Sequence, residues 1–196
     1  MKLIDLSQPI EAGMPVYPGD VPTFLAQERF LQQDGYNAYT LHSAMHAGTH
    51  VDAPMHLLAE GGFISELPLH RFCGPGFLLE SLDDPREISQ DCCVLIRTGH
   101  DTHYGQADYY TAQPEIGAAL CERILAAHPR CIGLDMASPD LPPFAVHKRL
   151  LEAGVPIVEN LTSLSSLRGL SFDFFAFPLK IQAEASLVRA AALVRD

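Results

Sequence analysis

Residues 143–160 read PFAVHKRLLEAGVPIVEN and join a helix to a strand within one short stretch. The helix is predicted over residues 143–153, because Gly154 supplies a C-terminal stop and Pro156 lies just beyond it. The following VPIVEN has the apolar, β-branched composition of a buried strand. A helix that leads directly into a strand favours an α/β layered fold.

The rest of the chain shows the same mixture of strands and helices. A second helix is predicted over residues 114–127, where apolar side chains recur at helical spacing: Ile116, Leu120, Ile124 and Leu125. This helix is expected to pack on a sheet. Short strands bounded by Gly, Pro or Asp are predicted at residues 2–6, 39–44, 76–82 and 93–97. The aromatic segment SFDFFAFPL, residues 171–179, is predicted to be a core strand.

Composition and charge limit the classes of protein to which the chain can belong. The 196 residues are 47% hydrophobic and 19% charged and contain no internal repeat, which predicts one globular domain over residues 1–196. A formal net charge of -11 argues against nucleic acid as a partner, because phosphate backbones are bound by clustered Lys and Arg. The sequence has neither an apolar run that could span a bilayer nor a signal-peptide core, so no membrane partner is expected.

The five cysteines are odd in number and show no C-x-x-C spacing, which argues against a disulfide framework and a zinc knuckle. Reduced thiols favour a cytoplasmic location. Cys92 and Cys93 enter an apolar strand without a neighbouring base, so they are predicted to be small buried hydrophobes rather than nucleophiles.

The densest group of metal-ligand residue types is HAGTHVDAPMH, residues 46–56. Gly48, the β-branched neighbours of His50 and Pro54 make this segment a poor helix. In a straight strand, residues four apart would be separated by about 13 Å, so the chain must bend, and Gly48 can supply the bend. His50 and Asp52 face the same side of an extended segment and can converge on one ion. Imidazole with carboxylate suits Zn²⁺, and Mn²⁺ and Fe²⁺ stay open as alternatives.

HAGTHVDAPMH closely resembles the signature of the cyclase family: His, any residue, Gly-Thr-His, any residue, Asp, any residue, Pro, any residue, His. Further similarities to the family extend over nearly the whole chain: PVYPGD (15–20), LIRTG (95–99), GLDMASPD (133–140) and HKRLLEAGVPIVENL (147–161). The resemblance implies a single-domain swivelling β/β/α fold, with a mixed, barrel-like sheet and surrounding helices. Periodicity alone predicts only mixed α and β structure.

The resemblance also implies a role for each residue of the site. It makes His46, His50 and Asp52 ligands of one metal, with Asp52 bridging to a second ion that His147 and Glu159 hold. His56 is implied as the catalytic acid/base. The implied cofactor is Zn²⁺, two ions per chain, with Mn²⁺ as the alternative. Without the resemblance, His147 could equally be a solvent-facing helical residue and Glu159 a strand-end charge, although a carboxylate within IVENL would be costly to bury without a partner.

The activity implied by the family is metal-dependent hydrolysis of an amide by metal-activated water. The best-known family substrate is N-formylkynurenine, which is cleaved to kynurenine and formate in tryptophan catabolism. Alternatives are a cyclic amide such as isatin, a lactone, or a noncatalytic metal-binding protein. Family members are commonly homodimers or larger homo-oligomers, so the expected partners are a small-molecule amide and a second copy of the chain.

Two segments depart from the family pattern and bear on the substrate. Tyr17 stands where formamidases often have Trp, and QAEASLVRA, residues 182–190, departs from the usual Gly-rich, Ser-Pro-x-Arg ending. Tyr17 and Phe24 are candidates for contact with an aryl ring. The polar run GHDTHYGQADYY, residues 99–110, is predicted to be a surface loop that contributes to the rim of a pocket. Ser163, Ser165 and Ser166 lack a G-x-S-x-G turn, which argues against a serine hydrolase.

Overall fold

A computed structural model describes residues 2–195, and its main element is a curled, mixed sheet of nine strands. The strands are β1 (Lys2–Asp5), β2 (Phe24–Arg29), β3 (Ala38–His42), β4 (His50–Asp52), β5 (Cys73–Leu79), β6 (Cys93–Ile96), β7 (Cys131–Leu134), β8 (Ile157–Glu159), β9 (Phe172–Phe175), β10 (Ala185–Leu187) and β11 (Ala191–Val194). The helices are α1 (Leu31–Asp34), α2 (Ala118–Ala126) and α3 (Ala145–Glu152). Sheet order is β1-β11-β9-β5-β6-β7-β8-β4-β10, and β2 pairs only with β3.

The centre of the sheet is parallel, and its two ends are antiparallel. β5, β6, β7 and β8 run parallel to one another, whereas β4 pairs antiparallel with both β8 and β10. The strand β6 alternates between two apolar layers: Cys93 and Leu95 face one core cluster, and Val94 and Ile96 face the other. Both helices α2 and α3 contribute to the second cluster, so they cover that face of the sheet. The α/β class predicted from the sequence is therefore confirmed.

The helix boundaries differ from the predicted ones by a few residues. The helix predicted over residues 114–127 begins at Ala118, since the preceding segment is extended and Ile116 donates its backbone N–H to the carbonyl of Pro139. The helix predicted over residues 143–153 begins at Ala145 and ends at Glu152, and Gly154 adopts the left-handed conformation expected after a helix. No helix within residues 2–195 has the length and apolar composition needed to cross a membrane.

Some sequence-based assignments were incomplete or wrong. Strands β2, β7, β10 and β11 were not predicted, because β7, β10 and β11 are only three or four residues long and the polar residues of β2 are consecutive instead of alternating with apolar ones. Within the aromatic segment 171–179, Phe172 and Phe174 are buried as predicted, but Phe177 lies after the strand and is 46% exposed. Cys92 and Cys93 are buried in the core, which confirms their prediction as small hydrophobes.

The hairpin β2–β3 carries an unusual share of the exposed apolar surface. Of the fourteen large hydrophobic side chains exposed within residues 2–195, six lie between residues 24 and 42: Phe24, Phe30, Leu31, Tyr36, Tyr39 and Leu41. Their concentration on one element marks the hairpin as a candidate contact surface.

Candidate metal centre

The strand β4 presents His50 and Asp52 on one face at the bottom of a pocket. β4 lies between β8 and β10, where His50 is directly opposite Glu159 and Asp52 is opposite Ala185. All three polar side chains are buried, with exposures of 1% for His50, 0% for Asp52 and 4% for Glu159. The predicted convergence of His50 with Asp52 is therefore present, and the sheet register adds Glu159.

A bend at Gly48 brings His46 back to the same cluster. Gly48 has φ 60°, and a Cβ there would meet the Met14 methyl at 2.7 Å, so a side chain is excluded by both conformation and space. His46 Nδ1 lies 3.0 Å from Asp52 Oδ1 as a result. The sequence-based argument that Gly48 bends this segment is confirmed.

His147 reaches the cluster from the first turn of α3. Asp140 accepts hydrogen bonds from the backbone N–H groups of Val146 (2.7 Å) and His147 (3.2 Å), which fixes the start of the helix. His147 is only 2% exposed, and its Nε2 lies 3.2 Å from Asp52 Oδ2. The solvent-facing position that the sequence alone left open for His147 is wrong.

The separations between these polar atoms are those of ligands around a metal. A tetrahedral zinc with bonds of about 2.0–2.1 Å holds its ligand atoms roughly 3.3–3.4 Å apart. His50 Nε2 lies 3.4 Å from Asp52 Oδ1 and 3.3 Å from Glu159 Oε2. Two groups of three residues have all their ligand atoms within 4.8 Å of one another: His46, Asp52 and His56, and His50, Asp52 and Glu159.

The cluster also contains most of the buried polar atoms that lack a hydrogen bond. Eight such side-chain atoms occur among the described residues, and five belong to this site: His50 Nε2, both carboxylate oxygens of Asp52, His147 Nε2 and Glu159 Oε1. Burying polar groups without partners costs free energy, and divalent cations bound here would give these atoms partners. The residues present therefore fit a divalent metal.

The electrostatics of the cluster show its requirement for positive charge. Burial disfavours the charged form of His50, but Asp52 and Glu159 outweigh burial and raise its pKa to about 10. Burial would raise the pKa of Asp52, but His46 and His50 hold that pKa well below its usual range. The pKa of Glu159 is raised by burial and by the charge of Asp52. Protons on imidazole thus compensate the carboxylates in the metal-free cluster, and metal binding would release them.

His56 lies beside the cluster in a short 3₁₀ turn, Pro54–His56. Its ring centroid is 4.2 Å from that of His46 and 5.3 Å from that of His147. Burial, together with the neighbouring imidazoles, lowers the pKa of His56 to about 4. A neutral imidazole at the pocket wall is able to accept a proton, and the same position also allows it to reach a metal held by His46 and Asp52.

Aromatic side chains form the outer wall of the pocket. Tyr17, Tyr110 and Phe144 line it together with the polar cluster, and Tyr17 and Tyr110 make an edge-to-face contact with centroids 5.6 Å apart. Tyr17 thus lies in the pocket, where it can contact an aryl ring as the sequence suggested. Phe24 does not line the pocket and is 53% exposed on β2, so its assignment to an aryl contact is wrong.

The polar run 99–110 is only partly a surface loop. His103 is exposed and Tyr110 lines the pocket, but His100 is buried and stacks on the fully buried Tyr109. Tyr109 donates its hydroxyl hydrogen to Asn160 Oδ1 at 2.7 Å. The prediction of a surface loop is therefore wrong for the residues that support the site.

Several supporting residues were not identified from the sequence. Asn160 follows Glu159 and donates from Nδ2 to the carbonyl of Gly48 at 2.9 Å, which ties β8 to the bend before β4. Glu184 places Oε1 3.5 Å from His46 Nε2. Asp140 could have been suspected because it precedes the predicted α3 by a few residues, as capping residues do. No local sequence pattern identifies Asn160 or Glu184 as part of the site.

Comparisons with known proteins agree with this geometry. The family described as "Putative cyclase" matches residues 4–141. An uncharacterized protein of Methanocaldococcus jannaschii is 32% identical over 200 residues, covering 99% of this chain and 100% of its own length. A kynurenine formamidase of Bacillus cytotoxicus is 30% identical, with 95% of each chain covered. Isatin hydrolase A from Ralstonia solanacearum has a similar fold, with a TM-score of 0.86, 18% identity, and coverage of 99% of this chain and 92% of its own.

Proposed function

Since the chain belongs to the cyclase family, we propose that it is a metal-dependent hydrolase that cleaves the C–N bond of an aryl formamide. N-formylkynurenine, cleaved to kynurenine and formate, is the proposed substrate. The relatives named kynurenine formamidase support an amide substrate. The observation that carries the proposal is the group of five buried, unpaired ligand atoms at the bottom of an aromatic pocket.

We propose two Zn²⁺ ions per chain, with Mn²⁺ as the alternative. Asp52 would be shared by the two ions. The directions of its two carboxylate oxygens support this role, because Oδ1 faces His46 and His50 while Oδ2 faces His147. His147 and Glu159 would complete the second ligand set. When bound, the metal supplies Lewis-acid polarisation of the scissile carbonyl.

The remaining steps belong to the side chains around the metal. His56 Nδ1 or Nε2 would accept the proton taken from water and pass it to the departing nitrogen, and the imidazole has to be neutral before this transfer. Tyr17, Tyr110 and Phe144 would orient the aryl ring and exclude water from its faces. No covalent enzyme intermediate is required.

The charge of the pocket wall bears on the substituents that a substrate can carry. Asp20 lines the pocket and is not among the proposed metal ligands, whereas no Lys or Arg lines it within the described chain. An aryl amide with an ammonium group is therefore expected to react faster than an equally large one with only a carboxylate. A matched pair of formanilides that differ in this substituent tests the expectation, and Asp20→Asn should reduce the difference.

A substrate panel tests the proposed function. N-formylkynurenine, isatin and simple lactones are each assayed with Zn²⁺ and with Mn²⁺, after elemental analysis has given the bound metal per chain. Faster turnover of the formamide supports the proposal. Faster turnover of isatin would instead make a cyclic amide the substrate. Inactivity on every compound with the metal fully bound would favour a noncatalytic metal-binding protein.

We also propose that the chain is a homodimer that uses the hairpin β2–β3. The six exposed apolar side chains between residues 24 and 42 support this surface. Light scattering after gel filtration should give twice the chain mass of 21.4 kDa. Leu31→Glu should produce monomers, whereas Leu69→Glu, at a similarly exposed apolar position outside the hairpin, should not.

Two further expectations stay proposals. We propose that residues 1–196 form one domain, which predicts a single calorimetric transition for the metal-free protein. We propose a cytoplasmic location, which the five unpaired cysteines support. Cell fractionation with an antibody against the chain tests that location.

A further inference from the structure

Two histidines of the cluster share an arrangement in which one ring nitrogen faces the carboxylates and the other faces an oxygen outside the cluster. His50 directs Nε2 towards Asp52 and Glu159, and its Nδ1 is 2.9 Å from the carbonyl oxygen of Gly48. His147 directs Nε2 towards Asp52, and its Nδ1 is closest to Ser138 Oγ, at 3.3 Å, with Glu159 Oε1 farther away at 3.9 Å. Such outer partners fix the tautomer and the orientation of a metal-binding imidazole.

His46 shows the same arrangement with a carboxylate as its outer partner. Its Nδ1 lies 3.0 Å from Asp52 Oδ1, and its Nε2 lies 3.5 Å from Glu184 Oε1. The His46 side chain is 19% exposed, compared with 1% for His50 and 3% for His147, so packing restrains it least. An outer partner is therefore most important for this ring.

The backbone holds Glu184 next to the strand that carries Asp52. The backbone N–H of Ala53 donates to the carbonyl of Glu184 at 2.8 Å, and Ala185 is the register partner of Asp52. Ile64 donates to the carbonyl of Ala183 at 2.9 Å, which fixes the preceding residue as well. Glu184 makes no other ion pair among residues 2–195, so its carboxylate is available to His46.

We propose that Glu184 is a positioning residue that accepts a hydrogen bond from His46 Nε2–H and thereby directs Nδ1 towards Asp52 and the metal. The separation of 3.5 Å exceeds a normal hydrogen bond, but the Glu184 side chain is 41% exposed and has the freedom to rotate closer. The inference rests on the metal site of the proposed function. It assigns Glu184 no contact with substrate.

The test measures metal affinity and the tautomer of His46 in three variants. Glu184→Ala removes the acceptor, Glu184→Gln keeps an oxygen that can accept from Nε2–H, and Glu60→Ala removes an exposed carboxylate elsewhere. Competition with a chromophoric chelator gives the metal Kd, and long-range ¹H–¹⁵N spectra of ¹⁵N-histidine protein report the tautomer. Circular dichroism confirms that each variant is folded.

We expect Glu184→Ala to weaken metal binding by about 10–100-fold and to mix the His46 tautomers. Glu184→Gln should stay within a few-fold of the wild type, and Glu60→Ala should match it. Equal affinities of the wild type and Glu184→Ala would overturn the proposal, as would a glutamine variant as weak as the alanine variant. Since neither readout uses a substrate, failure of amide hydrolysis would contradict the proposed function alone. Absence of metal binding by the wild type would overturn this inference together with the proposed metal site.

Discussion

Tyr109→Phe removes one hydroxyl group from the network that supports the ligand strand. Tyr109 is fully buried, and its hydroxyl is the donor to Asn160 Oδ1, while the same amide donates to the carbonyl of Gly48. Burial raises the pKa of Tyr109 above its ordinary value, so the hydroxyl remains a donor at any physiological pH. The variant leaves the Asn160 oxygen buried without this partner.

An unsatisfied buried acceptor costs about 1–3 kcal/mol. At this chain length 1 kcal/mol corresponds to roughly 2–4 °C in Tm, so we expect a decrease of about 2–12 °C. Thermal unfolding should be followed in chelator, so that metal binding does not contribute to the difference. Metal affinity should also fall, because Asn160 and His50 both donate to the carbonyl of Gly48.

Tyr104→Phe is the matched control. The hydroxyl of Tyr104 is also buried, but it has no hydrogen-bond partner among the described residues. Its removal should leave Tm unchanged or raise it, since a buried polar group without a partner disappears. Equal losses of Tm in the two variants would refute the reasoning, because the hydrogen bond to Asn160 would then not account for the effect.

Three further predictions concern the metal and the response to acid. His50→Ala should lose metal and activity together, whereas His56→Ala should retain metal and lose most turnover; elemental analysis with steady-state kinetics separates the two, and a fully active His56 variant would contradict its role. Zinc at a free concentration 100 times its Kd should stabilise the metal-free protein by about 2.7 kcal/mol, or roughly 5–11 °C in Tm; an unchanged Tm would exclude binding to the folded state. Hydrogen bonds from Arg86 hold the pKa of Asp84 below its usual range, so the ionised carboxylate stabilises the fold above about pH 4 and this stabilisation is lost as pH falls further. Asp84→Asn should therefore be less stable than the wild type at pH 7, with a difference that shrinks in acid; urea unfolding at several pH values measures it, and a constant difference would be the contrary result.

The fold class could be predicted because local sequence carried its signals. The helix α3, its stop at Gly154 and the following strand β8 are all encoded within eighteen residues. The short strands β10 and β11 were missed because their pairing with distant strands, rather than a run of β-forming residues, determines their conformation. The local sequence likewise could not predict the order of the nine strands in the sheet.

The candidate site likewise contains some residues that the local sequence identifies and others that it does not. His46, His50, Asp52 and His56 lie within eleven residues, so their density was visible in the sequence. His147 and Glu159 were assigned through family resemblance, and the register between β4 and β8 supplies the physical reason that Glu159 lies opposite His50. The contacts of Tyr109 and Asn160 join residues 51 positions apart and leave no local pattern.

The position of β4 between two later strands has a consequence for the newly made chain on the ribosome. Asp52 is synthesised 107 residues before Glu159, which at about 5–20 residues per second is a delay of roughly 5–20 s. During that interval the motif of residues 46–56 has neither of its neighbouring strands and only part of its ligand set. The nascent segment can therefore engage a cation only weakly and through exposed side chains. Secure metal capture has to await the synthesis of Ala185–Leu187, which closes the sheet on the other side of β4.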